Sequence, residues 1–155
     1  MTITTQQEGL LAAYKDAIAL VSDHWEEVGT LKQVRDFGPD IPTYLEIEAK
    51  GRLLVCTARD DGKLVGYAVG IIGPDLHAKG RNICITDIYR INPEYRKQGV
   101  GRMLFEYFAA MAAVRNCAAM TTRQKLKDGK PTGSDEFFES LGYEKTEIVW
   151  IRPLK

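Results

Sequence analysis

The stretch from Asn82 to Val114 constrains the fold more than any other part of the chain. Asn82–Ile91 is rich in β-branched residues and stops at Asn92-Pro93, which reads as a strand with a firm end. The loop Arg96-Lys97-Gln98-Gly99-Val100-Gly101-Arg102 comes next. From Gly99 to about Val114, residues Met103, Leu104, Tyr107, Phe108, Met111 and Ala112 recur at helical spacing. Cys117–Thr122 then reads as a short strand. A strand, loop, helix and strand in that order form a crossover unit, so the sheet must carry a helix on one face.

The rest of the chain fits around this unit. Leu10, Leu11, Tyr14, Ile18, Val21 and Trp25 predict an amphipathic helix from about Glu8 to Val28, with Gly29 as its stop. A shorter helix after Pro42 carries Tyr44, Leu45, Ile47 and Ala49 and closes at Gly51. Arg52–Ala58 and Lys63–Ile72 read as a hairpin about Asp60-Asp61-Gly62. Gly66 and Gly70, inside the second of these strands, point to a bulge or a close backbone approach. Gln124–Gly133 reads as a flexible loop, Ser134 caps a short helix through Ser140, and Tyr143–Ile151 is expected to be the last strand. No repeat or linker divides the chain, so one α/β domain over residues 1–155 is expected.

Composition removes several function classes. Lys plus Arg and Asp plus Glu number 21 each, so no overall field draws the chain to nucleic acid or an anionic membrane. No apolar run approaches the ~18 residues of a membrane span, and the N-terminus lacks a signal-peptide pattern, which makes the cytoplasm the expected location. Cys56, Cys84 and Cys117 each sit in an apolar run without metal-binding or CxxC spacing. They read as small core residues, and no metal is expected.

The pattern Arg96-x-x-Gly99-x-Gly101 carries the chemistry. Amides in the first turn of a helix lack intrahelical partners, and the helix dipole adds partial positive charge there. Glycines let the main chain approach phosphate oxygens, and Arg96, Lys97 and Arg102 add cationic donors. The result is a pyrophosphate cradle. A Walker loop is excluded because no Gly-Lys-Ser/Thr follows four spacer residues. A dinucleotide fingerprint is excluded because the third glycine and the later acidic residue are missing.

The whole run from Thr86 to Leu104 resembles the acetyl-CoA-binding signature of the GCN5-related N-acetyltransferase (GNAT) superfamily. It shares the strand end, the Pro93-Glu94-Tyr95-Arg96 turn and the Gly99-x-Gly101 loop. Phe137-Phe138-Glu139-Ser140-Leu141-Gly142-Tyr143-Glu144 is similar to that family's C-terminal helix and strand entry. The resemblance covers about two-thirds of the chain and fits the first fifty residues only loosely. It implies a mixed, mostly antiparallel central sheet flanked by helices, with a V-shaped splay between the fourth and fifth strands.

The resemblance also implies an activity: direct attack of a primary amine on acetyl-CoA, the acyl donor, without an acyl-enzyme. The acceptor would be a small molecule, a peptide or a protein side chain. Ile91 would offer main chain to the pantetheine arm, and Arg96, Lys97, Gln98, Gly99, Val100, Gly101 and Arg102 would hold the pyrophosphate. Asp87 is the candidate base, because alternation places Asp87, Tyr89 and Ile91 on one strand face. Asp87 capping a neighbouring loop, or paired with Arg90 or Arg81, is the competing reading. Phe138, counted with the coenzyme contacts, stands where many members have a tyrosine acid, and a phenyl ring cannot donate a proton. Tyr143 is therefore the other catalytic candidate.

Trp25, Glu26, His77 and Tyr89 are the acceptor-side candidates. Three have a plainer reading: Trp25 as a core residue, Glu26 as part of a solvated acidic face and His77 as a surface histidine. Two other functions stay open: an acyl-CoA-binding module without turnover, and transfer to a nucleobase supported by the basic run Arg123–Lys130. Self-association into a homodimer is left open as well.

Overall fold

Asp61 and Gly62 both adopt positive φ, 47° and 85°, which gives the turn the handedness that suits twisted antiparallel strands. On either side of it run β2 (Leu53–Asp60) and β3 (Lys63–Pro74). β1 (Ile3–Gln7) pairs antiparallel with β2, and β4 (Asn82–Ile91) pairs antiparallel with β3. β5 (Cys117–Thr121) lies parallel to β4, which completes the sheet order β1-β2-β3-β4-β5. The computed structural model describes residues 1–29, 31–32 and 35–154. They fall into two units, Met1–Ile18 with Asp40–Arg123, and Ala19–Pro39 with Gln124–Lys155.

The five-stranded sheet belongs to the first unit and is covered on both faces. Opposed residues of an antiparallel pair share a face, so Leu54, Cys56 and Ala58 lie with Gly70, Ala68 and Gly66. Against that face packs α3 (Val100–Val114), which buries Val100, Leu104, Phe105, Phe108 and Ala112. A Cβ at Gly70 would stand 2.5 Å from Cys84 Sγ and 2.8 Å from the Phe108 ring, and one at Gly66 would stand 2.6 Å from the Ile91 side chain. The two glycines therefore mark the close approach expected of them. On the opposite face Leu53, Val55 and Val69 cluster with Leu10 and Ala13 of α1 (Leu10–Val28) and with Tyr44, Leu45 and Ile47 of α2 (Ile41–Ala49). The α1 stripe differs from the expected one. Leu10, Ala13 and Ala17 are buried while Leu11 and Ile18 are exposed, because small alanines let the helix lie close to the sheet.

β1 is the element the sequence reading missed. It is held by more than its ladder, since Glu8, just beyond it, accepts from Arg59 Nε at 2.7 Å, Arg59 Nη2 at 2.9 Å and Thr57 Oγ1 at 2.5 Å. Arg59 also donates to Asp16 at 2.7 Å. The guanidinium hydrogen bonds are the main reason the Glu8 carboxyl is held down at about 2, from 4.5. A depressed carboxyl stabilises the fold fully above 4.5 and loses that contribution as pH falls through 2. Glu8→Gln is expected to lower the urea midpoint at pH 7, and the gap from wild type should shrink steadily between pH 4.5 and 2. A gap that does not change with pH would show that the charge is not what counts.

In the second unit, Leu126–Lys127 and Lys130–Pro131 form a two-residue hairpin inside the segment expected to be a loop, and α4 (Asp135–Ser140) follows Ser134. The strand expected over Tyr143–Ile151 is absent. Those residues adopt no regular structure, and Ile148 and Trp150 are 81% and 90% exposed. Apolar β-prone residues make a strand only when a neighbouring backbone completes their ladder, and none does so among the described residues. Cys56 and Cys84 are buried, which pushes both thiols up to about 12, while Cys117 is half-buried.

Candidate active site

Pairing between β4 and β5 stops at Ile85↔Thr121, yet β4 continues to Ile91. A hydroxyl contact between Thr86 and Thr122, 3.0 Å long, follows the last ladder pair. Beyond it the outer edge of β4 has no strand beside it among the described residues, so the sheet opens between its fourth and fifth strands. An open strand edge presents amide and carbonyl groups to whatever extended chain enters.

The loop that follows is tied down at several points. Asn92 N donates to Val65 O at 2.9 Å, and Tyr95 OH donates to Asp60 Oδ2 at 3.0 Å, which fastens the Pro93–Tyr95 turn to the β2–β3 hairpin. The same Asp60 accepts from the Thr2 amide, the main reason its carboxyl is lowered. Gln98 Nε2 donates to Glu94 O at 2.5 Å. Lys97 and Gly99 have φ of 61° and 84°. A lysine in the left-handed region is uncommon, and such conformations gather at binding loops where the surroundings impose them. With Gly99 as N-cap and no side-chain cap, the amides of Val100 and Gly101 begin α3 without intrahelical acceptors. Among the described residues, nothing beyond its chain neighbours lies within 4 Å of a Cβ built at Gly99, so the space before the helix is open to a ligand. Arg96, Lys97, Gln98 and Gly99 are exposed, Gly101 is half-buried and Val100 is buried. Arg102 forms an ion pair with Glu106 at 3.1 Å.

Ile91 departs from the simple expectation. Its carbonyl oxygen accepts from Arg96 Nε at 2.9 Å, so at this residue the main-chain acceptor already has a side-chain partner. Asp87 departs further. Val69 pairs with Ile88 and Gly70 with Thr86, which leaves Asp87 as the extra residue of a β-bulge. The bulge breaks the alternation that was expected to put Asp87, Tyr89 and Ile91 on one face. Asp87 instead accepts a hydrogen bond from the Tyr44 hydroxyl on α2, while Tyr89 packs edge-on against Phe105 of α3 at 5.2 Å. Burial foremost, then the Asp87 hydrogen bond, holds the Tyr44 phenol above its ordinary range, so it stays protonated at physiological pH. Sequence reading had placed Tyr44 on a helix with no functional role. A lone tyrosine among apolar residues at helical spacing gives no sign of a partner 43 positions away.

His77 lies in the β3–β4 loop, its amide on Asp75 Oδ1 at 2.9 Å, at the opposite end of β4 from the glycine loop. Ten strand residues put roughly 30 Å between those ends. In the second unit Trp25 packs on Phe37 at 6.1 Å with Arg35 over its ring at 5.8 Å, and Glu26 forms an ion pair with Lys32 at 3.2 Å. In the same unit Phe138 is buried between Phe137 and Tyr143, with ring centroids 5.2 and 5.4 Å away.

A family model described as an acetyltransferase (GNAT) domain matches residues 51–145, more than half the chain. No curated protein sequence matches it. Among solved structures, glucosamine-6-phosphate N-acetyltransferase from Arabidopsis thaliana superposes with a TM-score of 0.74 at 13% identity, covering 100% of both chains. An aminoglycoside acetyltransferase from an uncultured soil metagenomic sample gives 0.76 at 15% identity, again over 100% of both. AAC(6')-Iy, solved with a bisubstrate analog, CoA-S-monomethyl-acetylneamine, gives 0.69 at 19% identity over 100% of this chain and 99% of that one. At these identities the likeness is one of fold.

Proposed function

The chain belongs to the acetyltransferase (GNAT) domain family, and from that premise we propose that it moves an acetyl group from acetyl-CoA to a primary amine in a ternary complex. The observation that carries this reading is the course of β4, whose edge opens after Ile85 and leads into the glycine-capped start of α3. An extended pantetheine arm fits the open edge, and a pyrophosphate fits the amides of Val100 and Gly101 with the cations of the loop around them. Bound there, acetyl-CoA supplies a thioester carbonyl open to attack by an amine.

The chain's own residues then have distinct tasks. Asp87, exposed on the bulge, takes the amine proton directly or through water, with Tyr44 holding its carboxylate in place. Amides along the open β4 edge stabilise the oxyanion as it forms. Phe138 offers no proton to the departing sulfur. An ordinary thiol, with a pKa of about 8.5, leaves readily as thiolate near neutral pH, and Tyr143 is the candidate donor where assistance is needed. The buried Phe138 also supports a second reading, an acyl-CoA-binding module without turnover.

Thiol release from acetyl-CoA, followed with a panel of amines, separates the two. Amino sugars head the panel because two of the similar structures are enzymes named for glucosamine-6-phosphate and aminoglycosides, and polyamines and lysine peptides follow. At least one amine class should raise release well above the rate without amine. Tight coenzyme binding with no amine-dependent release across the panel would favour the binding module.

A further inference from the structure

Far from the glycine loop, the first unit has an open cleft of about 650 Å³ where β2 begins, β3 ends and β4 begins. Lys50, Arg52 and Arg115 line it together with Gly73, Pro74 and Asn82, and no carboxylate does. Lys50 and Arg115 are the C-caps of α2 and α3, so the cleft lies at the opposite end of α3 from Gly99. Fifteen helical residues make that separation roughly 22 Å.

Both guanidiniums are held in place before any ligand arrives. Arg52 Nε donates to Ile72 O at 2.9 Å, and a Cβ at Gly73 would stand 2.9 Å from Arg52 Nη2, so glycine there leaves room for the guanidinium. Arg115 Nη1 donates to Leu53 O at 2.7 Å, and Asn82 Nδ2 fastens the Arg115 carbonyl at 3.0 Å. Each arginine thus spends one of its five N–H donors on a backbone carbonyl. Among the described residues, none of the three cations has a carboxylate partner. With three cations and no carboxylate lining it, the cleft stays net positive even after the partial negative charge of the two helix C-termini is counted.

We propose that this cleft is a second anion site, which takes a phosphate group, free or as the monoester of a small molecule. Arg52 and Arg115 donate to its oxygens through guanidiniums already fixed by the backbone, and Lys50 adds a third charge. A phosphate dianion suits three cations better than a single carboxylate does. The volume lies in the range of small-molecule sites and leaves space for an organic body beyond the phosphate. No aromatic side chain lines the cleft, which argues against a single-stranded nucleic acid stacked along it. An occupant would join the ends of α2 and α3 to the sheet and so raise thermal stability.

The test follows backbone amide NMR signals while inorganic phosphate is added at constant ionic strength, with chloride as the control anion and excess coenzyme A filling the glycine loop. The amides of Arg52, Gly73, Asn82 and Arg115 should shift and saturate with phosphate but not with chloride. Glycerol phosphate should move the same amides. Lys50→Gln and Arg52→Gln should each weaken phosphate binding by about tenfold and leave coenzyme affinity unchanged. Lys50→Gln, an exposed change outside the sheet, keeps the test readable if Arg52→Gln folds poorly. Unmoved cleft amides, shifts reproduced by chloride, or shifts confined to Gly99–Arg102 would each overturn the proposal. The reporting amides lie at the far cleft, so a protein that ignored coenzyme A would still give a reading.

Discussion

Replacing Gly99 by glutamate should lower the affinity for acetyl-CoA at least 100-fold, about 3 kcal/mol, while the protein remains folded. The size follows from where the new side chain would sit. Among the described residues, nothing beyond its chain neighbours lies within 4 Å of a Cβ at Gly99, so glutamate extends into the space where the pyrophosphate is proposed to lie. Like charges in that space cost several kcal/mol. The cost to the fold is smaller. A side chain at φ 84° is strained by about 1–2 kcal/mol, and a carboxylate at the start of α3 interacts favourably with the helix dipole, which offsets part of it. Gly99→Ala separates the two effects, because it carries the backbone strain without the charge. Calorimetric titration with acetyl-CoA beside thermal unfolding of both variants measures each. If Gly99→Glu binds as the parent does, the loop does not hold the diphosphate.

The parts of the molecule legible in the sequence are those whose cause is local. β4 was predicted with its observed bounds, Asn82–Ile91, because its β-branched run ends at an Asn-Pro pair. The Asp61-Gly62 turn was legible because few residue pairs tolerate two positive φ angles in succession. The glycine loop was legible for the same reason: its contributors are contiguous, and helix geometry alone aims their amides. What sequence reading missed is built from distant partners. β1 is short, polar and at an edge, and its ladder and the Glu8–Arg59 contact join residues about fifty positions apart, although the β-branched run Thr2-Ile3-Thr4-Thr5 was a signal that could have found it. The Tyr143–Ile151 segment shows the converse, since β-propensity with no neighbouring strand among the described residues made no strand. The bulge at Asp87 is a one-residue slip in pairing, and alternation read from one strand cannot register it. It turned the candidate base toward α2 and away from Tyr89, so the acceptor side of the site is the least legible part.

That geometry makes Asp87→Asn the most informative change in the reaction itself. Asparagine keeps an oxygen that can accept the Tyr44 hydrogen bond, so the bulge and the α2 contact should survive while the base is lost. Turnover at pH 7 should fall by about 100-fold, the lower end of what a positioned base contributes, with acetyl-CoA affinity nearly unchanged. The requirement is steep because an alkylamine with a pKa near 10.4 is neutral in only about one molecule in 2,500 at pH 7. As pH rises toward that value, solvent removes the proton unaided, and the gap between variant and parent should narrow. Initial rates from pH 7 to 10 with one good acceptor trace this directly. Tyr44→Phe should fall between the two at pH 7, since the carboxylate remains but loses the group that fixes it. Equal turnover of Asp87→Asn and the parent at pH 7 would remove Asp87 from the role. A deficit of the same size at every pH would mean that the carboxylate positions the acceptor and does not accept its proton.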